Sequence, residues 1–241
     1  MSGHSKWSQI KHKKALTDAK RGKIFSKMSR EISVAVKTGG SNPDFNPRLR
    51  TAIERVRDEG LPKDNIERAI AKSTGGDEGQ NFQDVIYEVL GPGNISIIIE
   101  GISDNKNRTH NELKQILSDG SGKFAEQGSL LWSFERVGII EIDAGVHPDK
   151  TPSQLEEFII NSGASDFRNI ENLWLVETNF TETEKVRQSL EAMEIKIKST
   201  GHAYKAKNPI PLDGPAREPL EKLLDKLEDQ DDVQNIYTNA E

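Results

Sequence analysis

Lys6, Lys11, Lys13, Lys14 and Lys20 crowd the first twenty residues, together with His4, His12 and one aromatic, Trp7. Lysine side chains neutralise phosphates, and each such contact releases condensed counterions. A tryptophan among them can stack on an unpaired base, worth roughly 1–3 kcal/mol. The alternative is that Trp7 and Ile10 pin the segment to the body while the lysines stay solvated. A second basic group follows at helical spacing, where Lys23, Lys27, Arg30 and Lys37 fall on one face at roughly 100° per residue. Like charges so placed repel by a few tenths of a kcal/mol per pair, which a polyanion would relieve. A merely solvated helix face is the plain alternative. Arg48 and Arg50, on opposite flanks of a second helix, extend the basic set.

Catalytic chemistry finds no foothold. His4, His12, His110, His147 and His202 show neither metal-ligand spacing nor an acid–thiol partner, and there is no cysteine. Gly122-Lys123 resembles the end of a phosphate loop, but Leu117 and Phe124 stand where Gly and Ser/Thr are required. The expectation is a protein without enzymatic activity, cofactor or metal.

These residues sit on a chain of 241 residues whose formal charge of −6 conceals an asymmetry. Residues 1–72 carry 17 bases against 8 acids, and residues 73–241 carry 16 bases against 31 acids. A basic head on an acidic body points to a polyanionic partner, nucleic acid first. The bland reading is that the two surfaces attract each other within the molecule. The absence of cysteine excludes disulfides and fits a reducing compartment. The first fourteen residues lack a signal-peptide core, and no run approaches the length of a membrane span. Cytoplasmic residence without membrane association is expected.

The elements that must hold the basic residues follow from hydrophobic period. A helix over 21–38 has Ile24, Phe25, Met28, Ile32, Ala35 and Val36 on its apolar stripe and stops at Gly39-Gly40. Asn46-Pro47 starts a second helix with Leu49, Ala52, Ile53 and Val56 inward. A third runs from about Pro62 to Lys72 around Ile66, Ala69 and Ile70, with Arg68 and Lys72 outward. Beyond a linker at 74–79 the period changes to strands at 85–90 and 95–101, a helix at 107–118 and a strand at 130–134. Residues 138–205 read as βαββαβ, the ferredoxin-like order, with the final strand at 195–200. The tail (helix 218–228, strand 233–237) cannot bury its own Leu220, Leu223, Leu224 and Leu227, so it is expected to return and complete the middle domain.

The fold class expected is therefore α+β: an N-terminal three-helix bundle followed by two ferredoxin-like α/β domains, one inserted in the other. The boundaries are a basic arm at 1–20, a bundle at 21–79, a middle domain at 80–137 plus 206–241, and an insertion at 138–205. The arm, with few apolar partners for its lysines, is expected to order only on its ligand.

Several motifs resemble one family closely. They are Gly3-His4-Ser5-Lys6-Trp7, Lys11-His12-Lys13, Arg21-Gly22-Lys23-Ile24-Phe25, Asn46-Pro47-Arg48-Leu49-Arg50 and the run from Pro62 to Ile70. Gly91-Pro92-Gly93, the run from Ser103 to Thr109, Gly128-Ser129 and Asp231-Asp232-Val233-Gln234 continue the likeness. Across nearly the whole chain the sequence is similar to the YebC/PmpR family. The resemblance implies three domains and a DNA-binding transcriptional regulator. Its alternative implication is a ribosome-associated translation factor that grips ribosomal RNA and relieves stalls. In that case the 103–109 loop, with Lys106 and Arg108, would make a further contact. A monomer acting on DNA or ribosomal RNA is the expected form.

Overall fold

The computed structural model describes residues 18–58, 60–75, 81–212 and 214–241, with side chains from residue 22 onward. The arm expected at 1–20 lies outside these residues except for its last three backbone positions, which already belong to the first helix.

Three helices open the described chain: α1 (Asp18–Gly39), α2 (Pro47–Asp58) and α3 (Lys63–Thr74). Gly40 takes φ +84°, the left-handed stop after α1. Asn46 caps α2 by accepting from the Leu49 amide at 3.0 Å, and its side-chain amide donates back to the Ala35 and Gly40 carbonyls at 2.7 and 2.8 Å. One buried residue thus closes one helix and opens the next. Ile32, Ala35, Val36, Leu49, Ala52, Ile53, Val56, Leu61 and Ile66 form the bundle's core.

The first sheet has strand order β3-β1-β2-β8, from β1 (Gln83–Leu90), β2 (Ser96–Ser103), β3 (Lys123–Phe124) and β8 (Val233–Thr238). Two helices, α4 (Lys106–Asp119) and α7 (Arg217–Glu228), supply Leu113, Leu117, Leu220, Leu223 and Leu227 to the core against Val89, Ile97 and Ile99. A tail nearly 130 residues downstream of β2 therefore supplies that strand's antiparallel neighbour. The pairing slips by one residue between Glu100 and Gly101, and there Asp232 comes close. A Cβ built on Gly101 would lie 2.6 Å from the Asp232 carbonyl oxygen. Gly101→Ala is expected to cost about 1–3 kcal/mol by overpacking, read as a lower denaturant midpoint. An unchanged midpoint would refute this close approach.

Residues 136–203 form a second compact unit. Its sheet has strand order β5-β6-β4-β7, from β4 (Phe134–Asp143), β5 (Asp166–Ile170), β6 (Leu173–Asn179) and β7 (Ser199–Ala206). Helices α5 (Pro152–Asn161) and α6 (Thr183–Ala192) contribute Leu155, Ile159, Val186 and Leu190 to its core, against Ile140, Trp174 and Val176. The chain order βαββαβ with this strand order is the ferredoxin-like layout. The fold is α+β, a helical bundle followed by two four-stranded sheets with helices.

Two expected strands are corrected. The segment expected as a strand at 130–134 is a short 3-10 turn at Leu131–Ser133, and the third strand of its sheet is Lys123–Phe124 instead. The cause is Glu88, a buried carboxylate that accepts from the amides of Gly128, Leu130 and Leu131, the last two at 2.6 and 2.9 Å. Backbone donors held by a side chain are lost to a ladder. Burial pushes the Glu88 carboxyl up, but those three amides hold it below its ordinary value. The strand expected at 195–200 runs later, at Ser199–Ala206, because Glu194 turns the chain at φ +62° and Ile195 drops into the core.

Candidate nucleic-acid interface

The basic stripe of α1 faces the protein's own carboxyl-terminal turn. Helix α7 ends at Glu228, leaving carbonyls without intrahelical partners and a partial negative charge. Lys27 Nζ donates to the Glu228 carbonyl at 2.7 Å and Lys23 Nζ to the Asp229 carbonyl at 3.1 Å. Arg30 donates to the Asp231 carbonyl and, at 2.9 Å, to the Asp232 carboxylate. Three residues spaced along one helix face thus cap a helix end that lies some 200 positions away in sequence. Of the expected stripe, Lys27 and Arg30 are half-buried against this turn, while Lys23 stays exposed beside the Asp229 carbonyl. Burial lowers the Lys27 ammonium to about 8 despite the neighbouring Asp231 and Glu228 charges.

Asp232 is the hub of this contact, with its side chain 1% exposed. Its carboxylate accepts from Arg30 at 2.9 Å, Arg108 at 2.8 Å and the Thr109 hydroxyl at 2.5 Å. Burial alone would raise its carboxyl, but the Thr109 and Arg108 hydrogen bonds and the charges of Arg108 and Arg30 hold it below its ordinary value. Arg108 also pairs with Asp104 at 2.8 Å and approaches Glu112 at 3.8 Å. That guanidinium stays protonated at any relevant pH.

The remaining expected contacts divide. Lys37 is exposed and reaches Asn81 at 3.5 Å. Arg48 is held bidentately by Asp84, at 2.8 and 2.6 Å, and that hydrogen bonding raises its pKa. Lys106, at the first position of α4, is exposed; Tyr87 donates to its backbone carbonyl at 3.4 Å, and its side chain has no partner among the described residues. Arg50 makes no ion pair or side-chain hydrogen bond with another described residue. Lys6, Trp7, Lys11, Lys13 and Lys14, and the side chain of Lys20, lie outside the described residues.

Two cations that sequence reasoning placed merely outward, Arg68 and Lys72 on α3, also lack a partner among the described residues. They line a cleft of about 730 Å³ between α3, α1 and the α7–β8 turn. Their i,i+4 spacing was the available signal, but nothing in the sequence showed what lay opposite.

A helical bundle joined to two four-stranded sheets with helices defines an α+β class of protein, in which Arg50, Arg68 and Lys72 have no partner among the described residues. The chain belongs to the TACO1/YebC family: residues 5–76 match the model of the TACO1/YebC protein N-terminal domain, and residues 82–240 match that of the TACO1/YebC second and third domain. It is 44% identical over 240 residues to a probable transcriptional regulatory protein of Desulfosudis oleivorans, covering 100% of this chain and 96% of the relative. A relative of the same description from Trichlorobacter lovleyi is 44% identical over 99% of this chain and 95% of its own. The crystal structure of a conserved hypothetical protein, Aq1575, from Aquifex aeolicus superposes with a TM-score of 0.87 at 40% identity. It covers 98% of this chain and 96% of that one.

Proposed function

We propose that the protein is a non-enzymatic, cytoplasmic regulator of gene expression that binds duplex DNA as a monomer through its basic amino-terminal arm. The observation that carries this reading is the concentration of 17 bases against 8 acids in residues 1–72. The description of its relatives as transcriptional regulatory proteins supports it. Because Lys23, Lys27, Arg30 and Arg48 are engaged within the molecule, phosphate contact falls to Lys6, Lys11, Lys13, Lys14, Lys20 and Arg50, with Trp7 among them. Such contacts position a protein on the duplex without reading its bases, so general affinity exceeds sequence preference.

Six phosphate contacts give a slope of log affinity against log salt near −5, at roughly −0.9 per contact. Truncating residues 1–14 removes four lysines and is expected to bring the slope to about −2. Lys27→Met is expected to leave it unchanged. An unaltered slope on truncation would sink the arm as the interface. Sedimentation with ribosomes at near-physiological salt, lost on the same truncation and without affinity for duplex DNA, would move the reading to ribosomal RNA.

A further inference from the structure

The cleft beside α3 has the Asp232 cluster as one wall, and its charges are segregated. On the wall formed by α4 and the α7–β8 turn, Asp232 is saturated by Arg30, Arg108 and Thr109, while Asp104 and Glu112 converge on Arg108. On the α3 wall, Arg68 and Lys72 stand four residues apart and line the cavity without a described counter-ion. Like charges at that spacing destabilise each other, and an anion seated between them removes the penalty. Phe25 and Phe82 form aromatic surface in the same cavity. The Arg30 guanidinium lies 5.7 Å from the centre of the Phe82 ring and positions it. The four bases of the lining (Arg30, Arg68, Lys72, Arg108) match its four acids (Asp104, Glu112, Asp231, Asp232), so the positive charge is confined to the α3 wall. Exposed Ser26 on α1 adds a hydroxyl. The volume of about 730 Å³ falls in the range of roughly 300–1,000 Å³ typical of small-molecule sites. It is too confined for a duplex, whose phosphates alone span more than one helix face.

We propose that this cleft binds a single nucleotide unit, its phosphate on Arg68 and Lys72 and its base against Phe25 and Phe82. Aromatic stacking accepts any base, so the site reads phosphate and ring without sequence preference. The unit is supplied either by an unpaired strand or by a free mononucleotide, since both present the same chemistry. The inference deepens the nucleic-acid reading and rests on it, yet it is separable from the arm.

The full-length protein is titrated with fluorescein-labelled hexathymidylate, with a labelled 20-base-pair duplex, and with adenosine monophosphate as competitor. Arg68→Glu/Lys72→Glu is expected to weaken hexathymidylate binding by about tenfold or more, while the salt slope for duplex binding stays at the wild-type value. Ser26→Glu, which places a carboxylate in the cleft from a different helix, is expected to do the same. All three positions are exposed, so folding is checked simply by circular dichroism. Displacement of hexathymidylate by adenosine monophosphate identifies the free nucleotide as a ligand, and failure to displace identifies the strand. Either result supports the site. Wild-type affinity in both variants, or no binding of either ligand by the wild type, overturns it. Loss of duplex binding on arm truncation with hexathymidylate binding intact shows the two interfaces to be distinct. Hexathymidylate binding without any duplex binding leaves the cleft standing and removes the duplex reading.

Discussion

Asp232→Ala is expected to destabilise the protein by about 3–5 kcal/mol, the usual cost of removing one partner from a buried ionic cluster. The carboxylate is 1% exposed and accepts three hydrogen bonds. Its removal leaves the Arg30 guanidinium, only 17% exposed, short of its counter-ion, and strips the Thr109 hydroxyl and Arg108 of an acceptor. Asp232→Asn keeps the shape and one acceptor, so it should cost less. The same residue sets an acid limit. Its carboxyl lies below the ordinary value near 3.8 in the folded protein, so the unfolded chain binds the proton more readily. The stability it contributes is complete above the unfolded value and is lost as pH falls through the lower folded value. Wild type should therefore lose stability below about pH 4 more steeply than Asp232→Ala. Denaturant unfolding followed at pH 7 and at pH 3 measures both effects. Equal midpoints at pH 7, or equal slopes with pH, would show that Asp232 does not hold α1 to the carboxyl-terminal turn.

Much of this architecture could be read from periodicity. The stripe Ile32, Ala35, Val36 packs on Leu49, Ala52, Ile53 and Val56 because three helices with short connections have few other ways to bury apolar faces. The return of the tail was legible for a related reason, since Leu220, Leu223 and Leu227 require a partner sheet and only the middle one lacked a helix. The fate of the α1 stripe was not legible. Lys23, Lys27 and Arg30 show the same spacing whether they face phosphates or the carbonyls of a distant helix end. A backbone carbonyl leaves no mark in sequence at all. Asp231-Asp232 likewise reads as solvated acid unless the slip at Gly101 is known, because that slip is what lets the turn approach β2. The Glu88 clamp escaped for the opposite reason. Its partners are three amides, and any residue types could stand there. Arg68 and Lys72 were seen as outward, and their significance came only from Arg108 and Asp232 on the facing wall.

Lys27→Met gives the sharpest test of that reassignment, because the two readings predict different effects on stability and on binding. A phosphate-binding lysine would be neutral for stability and costly for binding. The structure instead tucks the ammonium against the Glu228 carbonyl, where burial lowers it from 10.5 to about 8. At neutral pH the folded protein holds a charged group that its surroundings disfavour, and between 8 and 10.5 the unfolded chain binds the proton that the folded one releases. Stability therefore rises with pH across that window. The interval corresponds to roughly 3 kcal/mol between the two protonation states. Methionine fills similar space without charge but gives up a charge-assisted hydrogen bond worth roughly 1.5–3 kcal/mol. The variant is thus expected to be more stable than wild type by up to about 1.5 kcal/mol at pH 7, with wild type gaining on it steadily from pH 8 to 10. Matched urea titrations at pH 7, 8.5 and 10 follow the gap. A difference that stays constant with pH would mean that Lys27 is solvated in the folded protein, and the stripe would return to the list of groups available to nucleic acid.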